Sequence, residues 1–407
     1  MIADLLHDPE FWKHASIPVV AALVGWGTNW VAIQMTFYPV KPFGRPPFLG
    51  WQGIIPSKAE EMAATFVDTT MSRLGTVAEL FEQIEPERVA AQAVGWVEPR
   101  MPEYTDEVMR ERDAVLWENL PELVKDGIRD RARRRLPPLV HGAVIEIGRR
   151  IEELLDFRDM IVGRLSGDPA LVNRLFLESG AREFRFIVRS GLYFGFLFGL
   201  VQLAVWALYP APWVLPAFGA AVGWATNWIA LNLIFRPLHP RKVGPFVLHG
   251  LFLRRQREVA AVWCRIVTRE ILTARGLIRA LLTGPRAARV EEVIRRHLRP
   301  LVDESADLLR PLAQVAVGLE GYAELRETVG EKAVAVSAEP FDDPFFNEAR
   351  ARRVERLLRE RMEALPSEEF QDLLRPCFQE DEMKLIVLGG VLGLAAGFAQ
   401  LVFVFGG

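Results

Sequence analysis

The chain has 407 residues, of which 50% are hydrophobic and 25% charged, with a net charge of −3 and a mean hydropathy of +0.13. The near-balanced charge excludes a basic nucleic-acid binder, and the hydropathy excludes both an ordinary soluble protein and one embedded throughout in a bilayer. The apolar residues must sit in blocks: no charge occurs between His14 and Lys41, between Arg189 and Arg236, or after Lys384, and about 20 apolar residues suffice for a membrane-spanning helix.

Behind an N-terminal tail, 1–16, the first run predicts a transmembrane helix over 17–38. Acidic Asp4, Asp8 and Glu10 before it, tryptophans within it and the lack of a small-residue cleavage site argue against a cleaved signal peptide. Ala21, Gly25, Thr28, Asn29, Ala32 and Thr36 form one stripe of small and polar side chains, with Trp26, Trp30, Ile33 and Phe37 opposite and Gln34 off the stripe. Such a stripe lets membrane helices approach closely, and its Thr and Asn serve either as interhelical glue or as a site. The stretch from Lys41 to Pro56, rich in Pro, Gly and aromatics, suits a bilayer surface. Ser57-Lys58-Ala59-Glu60 then reads as a capping box.

A first cytosolic helical domain, 39–186, has breaks at Glu85-Pro86, Glu98-Pro99, Pro121, Pro137-Pro138 and Gly167-Asp168-Pro169, and no strand alternation. Val115, Leu116, Leu120, Leu123, Val124 and Ile128 make one apolar helical face. The middle uncharged run holds two spans, 187–208 and 213–235, parted by Tyr209-Pro210-Ala211-Pro212. The third span rewrites the first: Gly25-Trp26-Gly27-Thr28-Asn29-Trp30 returns as Gly223-Trp224-Ala225-Thr226-Asn227-Trp228, 198 residues on, with Asn232 off the stripe. Gly250-Leu251-Phe252 likewise answers Gly53-Ile54-Ile55, although Leu253 and Arg254 replace the proline and the capping serine. A second cytosolic domain, 236–384, leads to the fourth span, 385–405, where Gly389, Gly393, Gly397 and Gln400 match Gly191, Gly195, Gly199 and Gln202 of the second.

The predicted fold is an all-α integral membrane protein whose four transmembrane helices arise by internal duplication (span, cytosolic helical domain, span, twice), with a pseudo-two-fold axis along the membrane normal. Gln202 is expected near the level of Gly25, so that Thr28, Asn29 and Gln202 meet Thr226, Asn227 and Gln400 around that axis. Basic residues beside the span ends run from Lys41, Arg45 and Lys58 through Arg182, Arg185, Arg189, Arg236, Arg241, Lys242, Arg254 and Arg255 to Arg375 and Lys384. They place both hydrophilic segments in the cytosol of a bacterial inner membrane, with the termini opposite. Cys264 and Cys377, the only cysteines, agree with a reducing compartment.

The segments GWGTNWVAIQMTFYPVKPFG, GIIPSKAEEMA, EFRFIVRSGLYFGFLFGLVQL and QEDEMKLIVLGGVLGLAAGFAQLVF resemble those of an uncharacterised bacterial membrane-protein family, the YheB and YjiN type, known as a domain of unknown function (445). The likeness covers nearly the whole chain and implies no activity, ligand or catalytic residue.

No chemistry stands out. None of His7, His14, His141, His239, His249 and His297 pairs with a cysteine or another histidine at metal-ligand spacing. No phosphate loop or nucleophile elbow occurs, and Glu380-Asp381-Glu382 reads as a solvated helix surface. The expectation is a non-enzymatic protein with no cofactor, metal or nucleic acid, whose cytosolic domains act as an interaction platform or envelope-associated factor beside membrane lipids and protein partners, with a homo-oligomer left open. The alternative is a lipid or small-solute carrier using the candidate intramembrane cluster (Thr28, Asn29, Gln34, Gln202, Thr226, Asn227, Asn232, Gln400) and an apolar cytosolic groove. Gly25, Gly191, Gly195, Gly199, Gly223, Gly389, Gly393 and Gly397 are candidate helix-packing glycines.

Overall fold

A computed structural model describes residues 9–45, 49–68, 74–244, 246–316, 318–374 and 376–405. Arg375 and the outer termini lie outside these residues, as do the side chains of Arg45, Cys377 and Glu380-Asp381-Glu382. The chain forms two units: Met1–Thr70, Leu165–Trp263 and Arg361–Gly407 make the first, and Met71–Arg164 with Cys264–Glu360 the second. The middles of both hydrophilic segments share one unit, and their flanks belong with the spans.

The first unit holds four helices long and apolar enough to cross a membrane. They are Pro9–Phe37, Ala181–Leu208, Val214–Phe235, and Pro376–Gln400 continuing through a π turn at Leu401–Phe405. Three begin earlier than the uncharged runs, because charge limits depth in a bilayer but not helix formation, and Arg, Lys and Glu are good helix formers. The prolines of the 209–212 turn separate the middle pair as expected. Apolar side chains face outward, with Leu197 55% and Val391 56% exposed, while Asn29 and Thr226 are fully buried. That inversion of soluble packing suits lipid surroundings.

Within each half the two spans touch backbone to backbone. A Cβ on Gly25 would land on the carbonyl of Gly191, one on Gly195 would come within 2.5 Å of Ala21 O, and one on Gly199 within 2.6 Å of Pro18 Cα. In the other half Gly223 meets Gly389, Gly219 meets Gly393, and Gly397 lies against Leu215 and Pro216. The order of these contacts makes each pair antiparallel. It also corrects the expected depth: Gln202 lies seven residues beyond Gly195, about 10 Å along the helix from the level of Gly25.

Two hairpins follow the odd-numbered spans: β1 (Phe43–Arg45) with β2 (Leu49–Trp51), and β3 (Arg241–Val243) with β4 (Phe246–Leu248). Hydrophobic alternation could not announce strands of three residues. The capping box at Ser57 does not form. A short helix, Ile54–Ser57, takes in Pro56, and Ser57 Oγ donates to Ile54 O at 2.8 Å. Proline tolerates a first helical turn because its missing N–H needs no partner there. A break at Lys58 (φ −110°, ψ 18°) precedes Ala59–Phe66. The other half starts alike, with Leu251–Arg254, a break at Arg255 (φ −108°, ψ 21°) and Gln256–Glu270.

The second unit is a helical bundle in which Glu122–Arg149 packs on Ala287–Ala316. Both run through prolines, Pro137-Pro138, which were expected to break the helix, and Pro300. Buried Leu136, Leu298 and Leu301 share one core beside them, and that packing offsets the lost backbone bonds. Of the predicted apolar face, Leu120 and Ile128 bury against Trp117, while Val115 and Leu123 stay 74% and 85% exposed. The helix ends at Asn119 and extended Leu120 resets the register before Glu122. Polar ties join the two segments: Glu146 accepts from Arg296, Lys332 pairs with Glu107 at 2.6 Å, and Gln92 Nε2 donates to Pro340 O at 3.0 Å.

Gly191→Val should prevent close approach of the first span pair and lower stability by about 3 kcal/mol or more, read as a fall in melting temperature of the detergent-purified protein. For Glu146, burial pushes the carboxyl up, but hydrogen bonds from Arg296 and Arg150 prevail and hold it below its ordinary 4.5. Its contribution is full above that value and disappears as pH falls through the lowered one. Glu146→Gln should therefore melt lower than wild type at pH 7, and the gap should close once the carboxyl is protonated in acid.

Candidate functional site

The predicted intramembrane cluster is not brought together. Asn29 Nδ2 donates to Ile187 O at 2.7 Å and Asn227 Nδ2 to Leu385 O at 2.8 Å, each across its own span pair. Thr28 Oγ1 bonds Gly25 O at 3.2 Å, Thr226 Oγ1 bonds Gly223 O at 3.3 Å, and Asn232 Nδ2 bonds Trp228 O at 2.8 Å, all within their own helices. Ser190 Oγ, which sequence reasoning passed over, adds a second donor to Ile187 O at 2.8 Å. Gln34 is half-buried. Gln202 and Gln400 are buried towards the far end of the bundle, where Ile17, Trp206, Val214 and Leu215 pack. Asn29 Oδ1 and Gln400 Nε2 have no hydrogen-bond partner among the described residues, but the antiparallel pairing keeps them at different levels. The eight candidate glycines lie in the span contacts.

The histidines of the second hairpin do not converge on a metal position. His239 Nε2 lies 2.7 Å from Glu368, and His249 Nε2 lies 3.1 Å from Leu238 O.

Another site lies in the second unit, where the helix seam leaves a half-open cavity of about 240 Å³. Val97, Val108, Ile128, Leu136, Val140 and Ile147 wall it from the first segment, and Leu281, Ile294, Leu298, Val329, Val336 and Phe341 from the second. Its few polar side chains already have partners or remain neutral. Thr105 Oγ1 donates to Met101 O at 2.7 Å and Ser337 Oγ to Ala333 O at 2.5 Å. Lys332 Nζ, held by Glu107, sits 5.2 Å from the Tyr104 ring centroid. Burial and the nearby Glu339 charge push the Tyr104 hydroxyl up, so it stays protonated. The arrangement can hold an apolar molecule. Ala93, Ala132, Ala143 and Ala333 line it at scattered positions, which the sequence did not mark as one site.

Over 113 residues the chain is 33% identical to the UPF0754 membrane protein of Shouchella clausii, a match covering 26% of this chain and 30% of that protein. It is 29% identical over 148 residues to a UPF0754 protein of Alkalihalophilus pseudofirmus (34% and 36% covered), and 24% identical over 120 residues to the UPF0754 membrane protein of Staphylococcus aureus (29% and 31%). The matches thus span about a third of the length of these relatives. No family model matches, and neither does any solved structure. With its all-α fold and four apolar helices, the chain is a membrane protein similar to an uncharacterised bacterial family.

Proposed function

We propose that this is a non-enzymatic, membrane-anchored binder of a long apolar chain, such as a lipid tail, held in the second unit while the four spans serve as a fixed anchor. The observation that carries this reading is the cavity at the helix seam, about 240 Å³ with almost wholly apolar walls. Water gains little there, and an alkyl chain gains about 0.8 kcal/mol for each methylene it buries. The reading narrows the carrier alternative to its groove, because the intramembrane amides are engaged in helix contacts.

The same proposal places the chain in the bacterial inner membrane, with both hydrophilic segments cytosolic and the termini opposite, on the strength of the basic residues beside the span ends. It also treats the chain as an internal duplication with a pseudo-two-fold axis along the membrane normal. The equivalent Asn29 and Asn227 bonds and the equivalent breaks at Lys58 and Arg255 support that history. An interaction platform is the second reading, favoured by Val115 and Leu123 exposed at the turn between two helices of the second unit.

Native mass spectrometry of gently extracted protein should show bound lipid. Ala132→Phe with Ala143→Phe should fill the cavity and abolish that lipid while circular dichroism shows the helices retained, even if overpacking beside Leu298 lowers the melting temperature. Asn29→Ala with Asn227→Ala should keep the lipid and lower the melting temperature, since interhelical bonds in membranes contribute about 0.6 kcal/mol each. Lipid lost from the asparagine variant at unchanged stability would return the site to the membrane.

A further inference from the structure

The two hairpins carry an unusual charge pattern. After the first span no carboxylate occurs before Glu60, and after the third none before Glu258, although the chain has 52 Asp and Glu. Both hairpins are fastened to the span they follow. Gly53 N donates to Pro39 O at 3.0 Å, Trp51 Nε1 to Tyr38 O at 3.2 Å and Gln52 Nε2 to Val40 O at 2.9 Å. In the second, Gly250 N donates to Pro237 O at 3.0 Å, and His249 meets Leu238 O. The first and third spans each run antiparallel to the second, so both hairpins emerge at the same end of the four-helix bundle, where the apolar helices stop.

Their exposed side chains differ. The first pairs Phe43, 76% exposed, with Trp51, 41% exposed, across its strands. Aromatic side chains of this kind settle at the boundary between headgroups and acyl chains. The second exposes Arg241 and Lys242, with exposed Arg236 capping the span before it, and none of the three makes an ion pair among the described residues. The carboxylate nearby, Glu368, is engaged by His239. Two cations on a fastened hairpin and a third at the end of the span before it, without an ion pair among the described residues and beside an aromatic hairpin at the same end of the bundle, lie at the level that lipid phosphates occupy.

We propose that Arg236, Arg241 and Lys242 make a cationic surface that binds the phosphodiester headgroups of anionic phospholipids of the phosphatidylglycerol class, and that Phe43 and Trp51 set the depth at which the bundle meets them. Arginine matches phosphate with paired donors and lysine adds a point charge. The site is separate from the cavity of the second unit and does not depend on a ligand there.

The full chain in nanodiscs of equal phosphatidylglycerol and phosphatidylcholine is the test, with retained lipid counted by native mass spectrometry after mild delipidation. Wild type should retain phosphatidylglycerol preferentially, and this preference should fall about fivefold for each charge removed in Arg241→Gln and Arg241→Gln/Lys242→Gln. It should also weaken as salt rises. The cavity-filling Ala132→Phe with Ala143→Phe should leave the headgroup preference intact. Melting temperatures unchanged by the hairpin substitutions would show that the loss is not one of folding. Retention of both lipids in proportion to the mixture, or undiminished preference in Arg241→Gln/Lys242→Gln, would overturn the proposal. Displacement of the lipid by millimolar inorganic phosphate would also overturn it, by marking a site for free anions.

Discussion

The first unit depends on one contact made twice, in which the backbones of two antiparallel spans meet at glycine. Gly25 against Gly191 and Gly223 against Gly389 leave no room for a Cβ. In lipid there is little hydrophobic gain from pairing helices, because acyl chains are as apolar as leucine, so close packing and hydrogen bonds must supply the attraction. Glycine at every fourth position supplies the first of these. It brings the Asn29 amide within 2.7 Å of the Ile187 carbonyl, a group already inside a helical ladder.

That contact accounts for the fate of the polar residues. A Thr or Asn facing hydrocarbon must find a partner, and the nearest acceptors are the carbonyls that glycine has uncovered. Thr28 and Thr226 turn back to their own helices while the asparagines reach across. The amides that looked like a binding cluster are thus distributed along the pairs they secure. Because the spans carry this role, the room for a ligand is found in the second unit, where packing is by larger aliphatic side chains with alanines between them.

The stripes of Gly191, Gly195 and Gly199 and of their counterparts were legible because helical periodicity places small residues on one face whatever the neighbours do. Depth was less so. An uncharged run marks where a helix enters hydrocarbon, and helices that continue past it, as at Pro9 and Ala181, shift the level of every later residue. Ser57 misled for a related reason: the local capping signal was present, but Pro56 favoured an earlier helix start. The 240 Å³ cavity was out of reach, since it depends on which helices of distant segments share a seam, and the weak likeness between those segments held no record of their pairing.

The two units solve their packing problems in opposite ways. Each pair of spans is complete within its half, because glycine contact needs only the other span. The hydrophilic segments are different: a helix such as Glu122–Arg149 has Ala132, Leu136 and Ala143 to bury, and its counterpart face is offered by Leu298 and Leu301 of the other half. Alanine on one side and leucine on the other pack only where the registers agree. Between those points the walls stand apart, held by Glu146 with Arg296 and by Glu107 with Lys332 at the polar rims. A seam fastened at its edges and loose at its centre is the physical origin of the cavity. Its position at the meeting of the two hydrophilic segments makes any ligand there a structural tie between the two halves of the chain.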